Sequence, residues 1–178
     1  NCSLCRDCEK VLLTREELDT ITDRLAREIE DTYRDSDKRL VLVIILKGSM
    51  PFAADLMREL DFPCEISFVR MASYAGTSST GKVRELIGLS ESIEGRSVVV
   101  VEDIVDSGLT MKEMLALLAK QRPAEVSIAS LLVKPGNLKV DLDIRYRCFD
   151  IPNDFIVGYG LDYDGEGRNL RDIYVVEN

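Results

Sequence analysis

Three acids, two hydroxyl residues and a glycine stand close together in Glu102-Asp103-Ile104-Val105-Asp106-Ser107-Gly108-Leu109-Thr110. Ser107 and Thr110 carry hydroxyls, and the backbone from Asp106 to Thr110 offers N–H groups. That set suits a phosphate held at a helix N-terminus. Glu102 and Asp103 suit another partner: sugar hydroxyls, or the magnesium that accompanies phosphates. A plain strand-to-helix connection, with Ser107 or Thr110 as N-cap, would need only the hydroxyls. It leaves the carboxylates unexplained, and unpaired carboxylates at the end of an apolar strand cost stability. The sequence has no histidine. Ser-His-Asp triads and HExxH zinc sites are therefore excluded, and acid–base work falls to Asp, Glu, Lys, Tyr or Cys.

The elements that must position these groups are readable around them. Val98-Val99-Val100-Val101 reads as a strand buried on both faces, delivering the acidic loop. Met111, Met114, Leu115 and Leu118 then share one face of a helix. In open α/β sheets ligands bind beyond the carboxyl ends of the strands. Leu40 to Leu46 is a second buried strand, ending in Lys47-Gly48-Ser49-Met50-Pro51 and a helix to about Leu60. Pro51 fits that helix's first turn. The turn lacks P-loop spacing, and alone it is a weak signal. Thr14-Arg15-Glu16-Glu17 is a capping box opening a helix with Leu18, Ile21, Leu25 and Ile29 on one face.

Glu65 to Met71 and Val83 to Leu89 read as strands around residues 72–82, which hold two glycines and five Ser or Thr. Such a length without core residues fits a mobile lid or a flexible hairpin tip. Glu125 to Val133 is another strand, delivering Lys134 to the same rim as the acids, either as a snorkelling lysine or as a donor to a ligand. Asp172 to Val176 closes the chain as a strand. In Phe155-Ile156-Val157-Gly158-Tyr159-Gly160-Leu161-Asp162, the GxG is not a dinucleotide fingerprint, because no third glycine follows at the right spacing.

Length and composition bound the rest. The 178 residues suit one α/β domain, and 46% apolar residues make it globular. A net charge of −9 argues against nucleic acid or an anionic membrane as partner. No apolar run reaches the length of a membrane span, and no signal peptide is visible. A cytoplasmic chain is expected. Cys64 and Cys148 read as buried thiols. Cys2, Cys5 and Cys8 could begin a metal site but lack a fourth ligand nearby, so residues 1–12 are expected to form a tail.

The stretch from Glu102 to Thr110 resembles the phosphoribosyl pyrophosphate signature of the type I phosphoribosyltransferases. The Phe155–Asp162 segment is similar to that of their hypoxanthine-guanine branch. The resemblance runs from about the first helix to the C-terminus. It implies a mostly parallel twisted sheet flanked by helices, with a purine-binding hood subdomain from residues 135–178. It also implies transfer of a phosphoribosyl group to hypoxanthine or guanine, with Mg2+, by a homodimer or homotetramer.

Carried over residue by residue, the resemblance makes Asp106 the acid–base. Glu102 and Asp103 would hold the ribose hydroxyls, directly or through magnesium. Ser107, Gly108, Leu109 and Thr110 would bind the 5′-phosphate. Lys47, Gly48 and Arg168 would bind pyrophosphate, with a cis peptide often preceding the lysine. Lys134 would recognise the purine 6-oxo group, Phe155 would stack on the base, and the backbone of Ile156 would read its edge. Asp162 would contact magnesium, and Ser73-Tyr74 would be the closing pair of the lid. Ser107 departs from the threonine many relatives carry, yet keeps the hydroxyl. Two other readings compete: a pyrimidine phosphoribosyltransferase that binds RNA, and a phosphoacceptor receiver. The receiver is disfavoured because its acidic pair should stand near the start of the chain. The preference among hypoxanthine, guanine and xanthine stays open.

Overall fold

The valine run folds as it reads. Val98 to Val101 are fully buried in the centre of β5 (Ser97–Val105). The computed structural model describes residues 8–75 and 82–176, with side chains described over 10–72 and 84–176. β5 lies between β2 (Leu40–Ile45) and β6 (Glu125–Val133), parallel to both. With β3 (Glu65–Ala75), β4 (Lys82–Ile87) and β7 (Tyr146–Asp150) they form a six-stranded sheet of order β4-β3-β2-β5-β6-β7. Only β4 pairs antiparallel, with β3.

Alternation along the strands fills two core layers. Leu42, Ile44, Val99 and Val101 pack with α1 (Arg15–Tyr33) and α2 (Met50–Glu59) on one face. Val41, Val43, Val98 and Val100 pack with Met111, Met114 and Leu118 of α3 (Leu109–Ala119) on the other. Each such buried side chain contributes roughly 1.5–3 kcal/mol. The capping box holds: Thr14 Oγ1 accepts from the Glu17 N–H at 3.1 Å, and the Thr14 N–H donates to Glu17 Oε1 at 3.3 Å.

A second, three-stranded antiparallel sheet has the order β1-β9-β8, from β1 (Cys8–Leu13), β9 (Ile173–Val176) and β8 (Ile156–Val157). Two expectations are corrected here. Residues 8–12 are not tail but strand, because Leu13 is fully buried and β9 supplies the hydrogen-bonding edge. Cys2 and Cys5 lie outside the described residues. Residues 146–150, expected in the hood, extend the main sheet by pairing with β6, with Tyr146 buried as an anchor.

Part of the expected lid, residues 72–82, is strand. Ser73 pairs with Arg84, Tyr74 with Val83 and Ala75 with Lys82, so residues 72–75 and 82 lie in strands. Antiparallel pairing satisfies the backbone groups that a loop would leave to solvent. Residues 76–81, the rest of the expected lid, lie outside the described residues.

Candidate active site

The first parallel strand, β2, has β3 on one side and β5 on the other. Chain connections therefore leave β2 and β5 in opposite directions, which opens a crevice at their carboxyl ends. Lys47-Gly48 follows β2 there, and Asp103 stands near the end of β5. A Cβ on Gly48 would lie 1.8 Å from Asp103 Oδ2, and a Cβ on Gly160 would lie 2.1 Å from the Gly48 carbonyl oxygen. Gly160 also has φ +97°, a left-handed backbone that side chains rarely adopt. The acidic strand end, the lysine turn and the GxG segment thus meet through contacts that admit only glycine. The Leu46–Lys47 peptide is cis, and Lys47 itself is exposed.

One detail differs from the expected loop of three acids. β5 continues to Val105, with Glu102 opposite Ser130 and Ile104 opposite Leu132, so Glu102 and Asp103 are on the strand. Only Asp106 begins the loop. The pairing with β6 carries the strand past the end of the valine run. Glu102 Oε1 accepts from the Asp103 N–H at 3.0 Å, and Asp103 Oδ1 accepts from the Ile104 N–H at 2.7 Å. Burial, then the neighbouring Asp103 carboxylate, push the Glu102 carboxyl well above its ordinary range.

A cavity of about 220 Å³ opens beside these groups, lined by Glu102, Asp103, Asp106, Ser107, Gly108 and Thr110 among others. Gly108, with φ 82°, is the N-cap of α3 and makes no side-chain cap bond. The Leu109 N–H donates to Ser107 Oγ at 3.3 Å. First-turn N–H groups are left for an anion, as the composition of the loop suggests.

The expected base-binding residues reach the same rim. The Lys134 N–H donates to the Val105 carbonyl at 3.0 Å, which sets Lys134 beside the Asp106 loop. Lys134 is buried, and its side chain has no hydrogen bond or ion pair among the described residues. The Lys134 nitrogen is not among the sealed, unpartnered side-chain atoms of the described residues, so the stem is packed while the ammonium reaches the rim, where a ligand oxygen can meet it. Phe155 is 58% exposed, so its ring is not core. The Val176 N–H donates to the Phe155 carbonyl at 2.8 Å. With Ile156 opposite Val175, antiparallel alternation turns the Ile156 N–H and C=O away from β9, toward the open edge of the sheet.

Arg168 Nη1 donates to the Gly160 carbonyl at 2.7 Å, and Arg168 Nη2 lies 3.3 Å from Asp162 Oδ1. Asp162 Oδ2 accepts from the Gly165 N–H at 2.9 Å. The three expected metal carboxylates do not converge. Among the described residues no three acidic or cysteine side chains are grouped to hold a metal. Asp162 is spent on Arg168 and Gly165, while Glu102 and Asp103 remain adjacent. Such a pair of hard oxygen donors fits a magnesium that keeps waters and substrate oxygens in its shell.

Two groups of residues were not foreseen. Asn137 donates to Asp106 and to Asn153, and isolated asparagines in turns give no sequence signal. Arg15, Asp55 and Tyr159 form a second cluster: Arg15 Nη1 lies 2.8 Å from Asp55 Oδ2, and the Tyr159 hydroxyl donates to Asp55. Burial alone would raise the Asp55 carboxyl. The hydrogen bonds from Arg15 and Tyr159 outweigh it and hold that carboxyl below its ordinary value.

Residues 12–164 match the family model described as the phosphoribosyl transferase domain. A hypoxanthine-guanine phosphoribosyltransferase of Mycobacterium avium is 44% identical over 169 residues, covering 92% of this chain and 83% of that protein. One from Dictyostelium discoideum is 44% identical over 165 residues, covering 90% of this chain and 91% of that protein. The crystal structure of a Staphylococcus aureus hypoxanthine phosphoribosyltransferase superposes with a TM-score of 0.87 at 36% identity, covering 99% of this chain and 96% of that one.

Proposed function

The chain belongs to the phosphoribosyl transferase family and has its type I fold, and from that premise we propose its reaction and the residues that perform it. It is an enzyme of purine salvage. It transfers the 5-phosphoribosyl group from phosphoribosyl pyrophosphate to hypoxanthine or guanine, giving IMP or GMP and pyrophosphate. The observation that carries this reading is the hydrogen bond between Lys134 and Val105, which joins the base side of the rim to the phosphate side.

In the reaction a purine ring nitrogen forms a bond to C1 of the ribose as the C1–pyrophosphate bond breaks. Asp106 takes the proton that the ring nitrogen loses. Positive charge develops on the sugar, as in other glycosyl transfers, and nearby carboxylates favour it. Ser107, Gly108, Leu109 and Thr110 hold the 5′-phosphate. Lys47, Gly48 and Arg168 hold the pyrophosphate. Lys134 donates to the 6-oxo group, Phe155 stacks on the base and the Ile156 backbone reads its edge. Ser73 and Tyr74 close over the site and exclude water.

Glu102 and Asp103 are the residues that would hold magnesium, while Asp162, engaged by Arg168 and Gly165, does not join them. When bound, the ion supplies neutralisation of the leaving pyrophosphate. The enzyme works in the cytoplasm, where the free thiols of Cys64 and Cys148 stay reduced. No helix among the described residues is long and apolar enough to cross a membrane. Self-association into a homodimer or homotetramer is supported by Met50 and Met57, exposed on one face of α2.

The test is pyrophosphate release from phosphoribosyl pyrophosphate and magnesium, with hypoxanthine, guanine, xanthine, adenine and uracil in turn. Turnover with 6-oxopurines only is expected. Turnover with uracil would move the chain to the pyrimidine enzymes, and no turnover with any base would overturn the reaction.

A further inference from the structure

Asn137 ends the 3-10 turn Pro135–Asn137 that follows Lys134. Its backbone N–H donates to the Lys134 carbonyl at 3.0 Å, which fixes where the side chain starts. Its side-chain NH2 donates twice: to Asp106 Oδ1 at 2.9 Å and to Asn153 Oδ1 at 2.8 Å. An ionised carboxylate only accepts hydrogen bonds, so Asn137 must present its NH2 to Asp106. Asn153 must then present its carbonyl oxygen to the second hydrogen. The direction of every bond in the chain is therefore set by the charge on Asp106.

The three residues come from three connections. Asp106 follows β5, Asn137 follows β6, and Asn153 lies between β7 and β8, two residues before Phe155. One amide group ties the acidic loop to the segment that carries Phe155. Asp106 is exposed, and an exposed carboxylate without such a bond turns freely in water. With Oδ1 held by Asn137, Oδ2 is the oxygen left to meet a proton.

We propose that Asn137 is the positioning residue for Asp106, and that Asn153 orients Asn137 in turn. The inference rests on the acid–base role given to Asp106. A hydrogen bond to a charged group is strong, and displacing a reacting group by about 1 Å lowers rates on the order of 10²-fold. Asn137 does not line the cavity of the Glu102–Thr110 stretch, so its loss is expected to act on turnover and not on phosphoribosyl pyrophosphate binding.

The experiment is a double-mutant cycle on the full chain, with kcat and KM for both substrates and a thermal melt for each variant. Asn137→Ala is expected to lower kcat by roughly 10- to 100-fold, leaving KM for phosphoribosyl pyrophosphate within about twofold. Asn137→Leu, close to asparagine in size and unable to donate, repeats the test if alanine disturbs the turn. In an Asp106→Asn background the Asn137 change is expected to add less than about twofold, because a residue acting through another does nothing once that residue is gone. Losses that multiply in the double variant would overturn the proposal, as would a full-rate Asn137→Leu. If Asp106→Asn alone left kcat unchanged, the acid–base role itself would fall and this inference with it, an outcome the single variant reports separately.

Discussion

Lys134 and Gly48 show how single residues divide the work. Lys134 has a buried stem and, among the described residues, no hydrogen bond or ion pair to its side chain, and it stands beside the Asp106 loop with its nitrogen open to the rim. Replacing it with methionine keeps the length and removes the donor. Lys134→Met is expected to raise KM for hypoxanthine roughly 10- to 100-fold, the value of a hydrogen bond from a charged group, with KM for phosphoribosyl pyrophosphate little changed. Steady-state kinetics with each substrate varied would check this, and an equal rise in both would deny Lys134 a part in reading the base. Gly48 is constrained from the other side. A methyl group there would stand 1.8 Å from Asp103 Oδ2, so either the Lys47 turn or the carboxylate must move. Gly48→Ala is therefore expected to lower kcat/KM for phosphoribosyl pyrophosphate by about 100-fold or more. A near-normal kcat/KM would show that the contact between Gly48 and Asp103 is not needed in the reaction.

Elements bring those residues together, and the decisive join is between the two sheets. Arg15 opens α1, Asp55 lies on α2, and Tyr159 lies in the GxG segment beyond β8. Arg15 bonds Asp55, stacks over the Tyr159 ring with its guanidinium carbon 5.3 Å from the centroid, and donates its backbone N–H to Asp172 Oδ1 at 2.6 Å. The lowered Asp55 carboxyl makes this join sensitive to pH. A carboxyl whose folded value lies below its unfolded value near 3.8 contributes stability above that pH, and the contribution is lost as pH falls through the lowered value. Asp55→Asn is expected to destabilise the protein by about 1–3 kcal/mol at neutral pH. The gap between the two melting temperatures should narrow below about pH 4. A gap unchanged down to pH 2 would mean that the charge on Asp55 plays no part.

None of this join was legible in the sequence, because Arg15, Asp55 and Tyr159 are far apart along the chain and each reads as ordinary surface or core. The parallel strands were legible, since burial on both faces leaves an unbroken apolar run. β1 was hidden by the charged and cysteine-rich residues around it, and it takes its edge from a strand at the far end of the chain. β7 was hidden because its burial alternates and its partner β6 is set only by topology. The site was legible where chemistry concentrates residue types, as at Glu102 to Thr110. It was illegible where geometry does the work, as at Asn137 and Gly160.

For the whole molecule, charge sets the condition for activity. The chain carries −9, and the cavity is lined by Glu102, Asp103 and Asp106. Phosphoribosyl pyrophosphate is itself strongly anionic, so attraction cannot come from the general field of the protein. The N–H groups at the start of α3 and the Lys47 turn offset part of that repulsion at the phosphates. Where the pyrophosphate nears Asp103, Lys47 and Arg168 offset only part of it, and a divalent cation would supply the rest. Glu102, with its carboxyl pushed up by burial and by Asp103, fits the same account, because a bound dication would favour the charged form. Binding should therefore depend on magnesium far more than on ionic strength. At a hundredfold excess over Kd a ligand adds about 2.7 kcal/mol. For a domain of this size that amounts to a rise of roughly 5–10 °C in melting temperature. The rise is expected with phosphoribosyl pyrophosphate and magnesium together. It should vanish when EDTA removes the metal, and magnesium alone should give little of it. An undiminished rise in EDTA would show that the protein's own cations suffice, and that Glu102 and Asp103 meet the ribose hydroxyls directly.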